Sequence, residues 1–141
     1  MSVYSRNPKY IQKALEINPN NSIYYFEKSK LGIDFDARLE AIDKAINIDK
    51  FIPFYFQKIR LLKRKNNQNG VIEVATELLD LDRLTHMERA KAYMKIAFAY
   101  EKLDNIKLAC QNWIFVYNAK NWSGHNDAAK RNFKRLRCQY L

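Results

Sequence analysis

The sequence predicts an all-α chain built as a short stack of antiparallel helical hairpins. Three observations point there. First, a stretch in which small or apolar residues close a helix before a polar turn occurs three times: Ala14-Leu15-Glu16-Ile17-Asn18-Pro19, Ala45-Ile46-Asn47-Ile48-Asp49-Lys50 and Leu78-Leu79-Asp80-Leu81-Asp82-Arg83. The copies lie 31 and 33 residues apart, the period of helix–turn–helix repeats rather than of a globule with one central core. Second, apolar residues between the copies follow helical spacing, and no credible strand stands out. Third, three Gly and three Pro in 141 residues leave room for short connections only, which make neighbouring helices antiparallel.

About eight helices follow in order. Pro8 opens the first, because its missing N–H costs nothing in a first helical turn. Ile11, Ala14 and Leu15 form one face, and Asn18-Pro19 stops it, since the residue before Pro avoids the helical region. The second runs from about Ser22 to Leu31, opened by Asn21 or Ser22, and Gly32 ends it. Asp34 or Asp36 caps the third, in which Leu39, Ile42, Ala45 and Ile46 keep helical spacing. The fourth spans roughly Phe51 to Lys65. Its apolar stripe is Ile52, Tyr55, Ile59 and Leu62, with Gln57, Arg60 and Arg64 away from it.

Asn66-Asn67-Gln68-Asn69-Gly70 reads as a break, too short for a domain linker. The fifth helix then turns Val71, Val74, Ala75 and Leu78 inward. Thr85-His86-Met87-Glu88 is a capping box, in which hydroxyl and carboxylate each satisfy a backbone N–H. It starts a sixth helix that reaches Leu103; Asp104-Asn105 turns into a seventh ending near Asn118. Trp122 to Asn126 reads as a loop. A final helix over 127–140 places Ala129, Phe133, Leu136 and Tyr140 on one stripe.

The net charge is +10. Lys58, Arg60, Lys63, Arg64 and Lys65 stand in 51–65 without an acid; Lys130, Arg131, Lys134, Arg135 and Arg137 stand in 127–141 against Asp127. Nearly all the net charge therefore sits in two helices. Such clusters attract acidic partners or nucleic acid, although a solvated helix face has the same composition. No run of about 18 apolar residues spans a bilayer, and residues 1–7 lack the apolar core of a signal peptide, which points to the cytoplasm. Cys110 and Cys138 make neither a disulfide framework nor a zinc site. Cys110 reads as a small hydrophobe on an apolar face, and a functional disulfide is not expected in a reducing compartment, though the two would meet if the last helix packed back on its neighbour.

Residues Ala90 to Asn118 resemble a tetratricopeptide repeat. Tyr93 stands at the bulky first position, Ile96 at the following Leu, Ala97 at the small position where two helices touch, and Tyr100 at the aromatic one. Ala109, Trp113 and Val116 follow in the second helix. Helices of a hairpin approach closely only where a side chain is small, and a large ring fills the adjacent gap. Val116 is larger than the usual Ala, and the usual closing Pro is absent near Asn121. The resemblance implies one domain over 1–141, a right-handed superhelical solenoid. It has an opening half-repeat (8–18), repeats over about 21–49, 51–82 and 85–118, and a capping helix (127–140).

The resemblance also implies a non-catalytic scaffold whose groove binds peptides or proteins. The positions that carry the family's carboxylate-clamping basic residues hold Met94 and Phe98 here, which argues against that clamp. What remains is Met94, Phe98 and Glu101 beside Arg60, Lys63 and Arg64, a combination suited to an acidic or amphipathic protein segment. Met94 and Phe98 packed under the chain's own last helix is the competing arrangement. The alternative function is nucleic-acid binding through the basic helices 51–65 and 127–140, where Tyr55, Phe56, Phe133 and Tyr140 are interleaved as candidate stacking rings. The apolar end left by an incomplete opening repeat is a surface for a second copy. His86 and His125 are the only histidines. No phosphate loop, metal-ligand pair or nucleophile–base set is present, so neither catalysis nor a cofactor is expected.

Overall fold

The computed structural model describes residues 7–119 and 123–140. Among them are eight α-helices and no strand: α1 Pro8–Ile17, α2 Ser22–Lys28, α3 Phe35–Ile48, α4 Ile52–Arg64, α5 Gln68–Leu79, α6 His86–Lys102, α7 Ile106–Asn118 and α8 Ser123–Arg135. A 3₁₀ turn, Cys138–Tyr140, follows. The chain divides into two compact units, one to Arg64 and one from Lys65.

Short polar side chains start most of these helices by accepting bonds from otherwise unpaired N–H groups. Asn7 caps α1, Asn21 caps α2 and Asp34 caps α3. Asn67 caps α5 and Asn105 caps α7, while Thr85 and Glu88 complete the expected capping box of α6. The Asn67 cap corrects the break read over 66–70. Lys65 and Asn66 make the turn, Asn66 with φ 57°, and the helix is already formed at Gln68. Asn tolerates that left-handed conformation better than most residues.

In the first unit, α2 packs against α1 and α3, and α3 against α4. Ile42, Ala45, Phe54 and Leu61 form the core, and Tyr25, Phe26 and Leu39 flank it. The Phe26 and Phe54 rings meet at a tilt of 36°, centroids 5.0 Å apart. The helix α2 stops at Lys28, three residues short of the expected Leu31. Ser29 explains the stop. Its hydroxyl turns back on the Phe26 carbonyl at 2.6 Å, and its own carbonyl accepts from Arg38 Nε at 2.8 Å and Gln57 Nε2 at 3.3 Å. Gly32, at φ +89°, then reverses the chain. Gln57 was expected on the outer face of α4. It is buried instead, because an inward amide can satisfy a helix-end carbonyl that water no longer reaches.

In the second unit, α6 lies between α5 and α7, and α8 lies against α7. Ala90, Ala97, Trp113, Val116 and Ala129 form one core cluster. Ala97 and Trp113 are both fully buried, so the large ring fills the space the small residue leaves. This is the knob-and-hole pattern read from the sequence, here extended to α8 through Ala129.

The chain's end departs from the expected helix over 127–140. Residues 123–126, read as loop, are helical, while Trp122 lies outside the described residues. The helix stops at Arg135, and Arg137 takes φ 56°. That left-handed turn, costing about 1–2 kcal/mol for a residue with a Cβ, brings buried Cys138 back to α7. There it forms a disulfide with Cys110, Cα–Cα 5.6 Å. Cys110 is thus not merely a small core hydrophobe. It is the anchor for the end of the chain.

Candidate interaction surfaces

The basic cluster of α4 sits on the helix's outer side. Arg60, Lys63 and Arg64 are exposed, whereas Phe54, Tyr55, Ile59, Leu61 and Leu62 are buried. Arg60 reaches back to Gln57 Oε1 at 3.4 Å, and the Arg64 guanidinium lies 5.9 Å from the Phe35 ring. Lys58 is tied to Asp43 at 2.7 Å. The end of α4 therefore presents three cations on a helix whose opposite face is buried. As the last turn of a helix, it also suits positive charge.

The three groove residues expected on α6 differ in their surroundings. Met94 is half-buried and packs on the Ala97–Trp113 cluster. Phe98 is 37% exposed and meets Trp113 edge-on, centroids 5.0 Å apart. Glu101 binds Arg135 through both carboxylate oxygens, at 2.6 and 2.8 Å. The hydrogen bonds from Arg135 hold the Glu101 carboxyl below the usual carboxylate range, and the same bonds raise the Arg135 guanidinium. Two residues assigned to separate surfaces in the sequence are thus partners, and they dock α8 onto α6.

The rest of the basic cluster on α8 and its following turn is open. Lys130, Arg131, Lys134 and Arg137 are exposed. The Lys130 ammonium stands 5.7 Å from the Tyr117 ring, and Arg137 stands 5.7 Å from Tyr140. Between α7 and α8 runs a half-open groove of about 550 Å³, with Trp113 in its wall and Lys130 and Lys134 among its lining. Two of its apolar lining residues, Ile114 and Tyr117, lie outside the sequence reading. Their signal was present in the run Trp113-Ile114-Phe115-Val116-Tyr117. Five consecutive apolar residues cannot share one helix face, so some of them must face outward.

His86 is exposed at the start of α6, and the side chain of His125 lies outside the described residues. Among the described residues no group of three or more His, Cys, Asp or Glu is placed to hold a metal ion. No helix among them is long and apolar enough to cross a membrane.

Paired antiparallel helices, small-to-large packing at Ala97 and Trp113, and repeated polar caps define a helical-hairpin repeat fold of the tetratricopeptide type. Two crystal structures of MamA, a tetratricopeptide-repeat protein, share it. One matches with a TM-score of 0.67 at 18% identity, over 92% of this chain and 84% of its own. The other matches with a TM-score of 0.65 at 17% identity, over 92% and 78%. At that identity the likeness is one of fold. No protein-family model matches the chain, and no curated protein matches it.

Proposed function

We propose that this protein is a non-catalytic interaction scaffold, an adaptor, co-chaperone or assembly subunit, that binds an acidic or amphipathic protein segment. The observation that carries the reading is the exposed Arg60, Lys63 and Arg64 at the end of α4, on a helical-hairpin fold with only short connections. Cations held on a preformed support steer acidic partners and fix their register. The half-buried Phe35 ring, 5.9 Å from the Arg64 guanidinium, adds apolar surface suited to an amphipathic segment.

The nucleic-acid reading has less support. Base stacking needs an open ring. Tyr55 is buried, Phe56 and Phe133 are half-buried, and Tyr140 alone of the four is widely open, at 75%.

The test is affinity capture with mass spectrometry on the wild type and on Arg60→Glu/Arg64→Glu, with helicity checked by circular dichroism. Acidic partners held by the wild type and lost from the folded double variant support the scaffold reading. Equal capture by both sinks the α4 assignment. A titration with labelled single-stranded RNA separates the second class: binding that persists at physiological salt favours nucleic acid.

A further inference from the structure

Helices α6 and α8 of the second unit are flanked unequally. The helix α6 is packed on one side by α5 and on the other by α7. The helix α8 packs mainly on α7, touches the Cys138–Tyr140 turn, and is tied to α6 through Arg135 and Glu101. Between α7 and α8 lies the 550 Å³ groove, lined by Trp113, Ile114 and Tyr117 of α7, by Phe133 of α8 and by Gln139 of the turn.

Three features describe what fits there. The walls are apolar, and Ile114 and Tyr117 remain 44% and 48% exposed, a cost that an apolar occupant would relieve. The lip is cationic: Lys130 and Lys134 line the groove four residues apart on α8, one above the other on the same face. Opposing charge is scarce, since α7 contains no acidic residue and α8 contains Asp127 alone. The Cys110–Cys138 disulfide keeps the turn bearing Gln139 against α7, so the groove is held in shape before anything binds. Preformed walls lower the ordering cost of binding.

We infer that this groove receives an amphipathic helix of a partner protein. Its apolar stripe would pack on Ile114, Tyr117 and Phe133, and acidic residues at i and i+4 beside the stripe would meet Lys130 and Lys134. This surface belongs to α7 and α8 and does not depend on the α4 cluster.

A fluorescein-labelled synthetic helix of about 20 residues is the probe, with Leu at i, i+3, i+4 and i+7 and Glu flanking the stripe. The expected result is saturable binding by anisotropy. It weakens with salt and falls about tenfold or more with Lys130→Glu/Lys134→Glu and with Ile114→Ser, since a tenfold loss needs only about 1.4 kcal/mol. Arg60→Glu/Arg64→Glu leaves it unchanged, which separates failure of this site from failure of the α4 reading. The site is overturned by absent saturable binding, by equal affinity for the variants, or by equal binding of a Lys-for-Glu peptide. It is also overturned if dodecanoate binds the wild type where the peptide does not, or if sedimentation shows wild-type dimers that Ile114→Ser dissociates.

Discussion

Arg135 of α8 grips Glu101 of α6 through both carboxylate oxygens, at 2.6 and 2.8 Å, across 34 residues of sequence. Asn132 steadies the same guanidinium, accepting from Nε at 3.2 Å and Nη2 at 2.9 Å. A planar guanidinium matched to a carboxylate is orienting as well as attractive. The pair therefore sets where α8 lies on α6, and the position of α8 forms one side of the apolar groove.

Glu101→Gln should cost about 0.5–1 kcal/mol in urea unfolding at neutral pH, because the pair is partly solvated and half of Arg135 is open. The pH dependence has a definite sign. The Glu101 carboxyl is held below its ordinary range by Arg135. Its contribution is therefore complete above the unfolded value of about 4.3 and is lost as pH falls through the folded value. The gap between wild type and variant should close in acid. A gap that widens there would contradict the pairing.

Removing the Cys110–Cys138 link should destabilise the protein by about 2–4 kcal/mol, as expected for closing a loop of this size; the cysteines are 28 residues apart. Wild type in reductant should unfold with Cys110→Ser/Cys138→Ser, and the double variant should ignore reductant. Two titratable thiols in native, unreduced protein would show that the link does not form.

Trp113→Ala should cost about 3–5 kcal/mol by opening a cavity beside Ala97 and Val116, and Ala97→Leu about 1–3 kcal/mol by overfilling the same space. Thermal unfolding of both variants measures this. Ala97→Leu should be partly rescued by Trp113→Phe, since the smaller ring vacates volume next to the new side chain. Additive losses in the double variant would place the two residues in separate packing environments.

How much of this was legible in the chain can be argued residue by residue. Thr85 and Glu88 announced the start of α6 because a capping box needs nothing outside four residues. Ala97 and Trp113 were legible because the repeat's packing rule links residue size to position. Gln57 was misplaced on the outside: a helical wheel sorts residues by polarity and cannot see the Ser29 carbonyl 28 residues away. The end of α8 was extended by five residues because Leu136 and Tyr140 continue a helical spacing that the left-handed Arg137 interrupts. Glu101 and Arg135 went to different surfaces because nothing local pairs them.

By itself, then, the sequence determined the all-α class, the hairpin period, most helix starts and the two concentrations of positive charge. Each depends on residues within one or two helical turns, where backbone geometry dictates who meets whom. The tertiary structure decided which polar groups turn inward, that Cys110 and Cys138 join, that Glu101 is taken by Arg135, and that α7 keeps an apolar side open beside Lys130 and Lys134. Those outcomes arise where helices meet. There, desolvation and shape select among contacts between residues that the chain holds far apart.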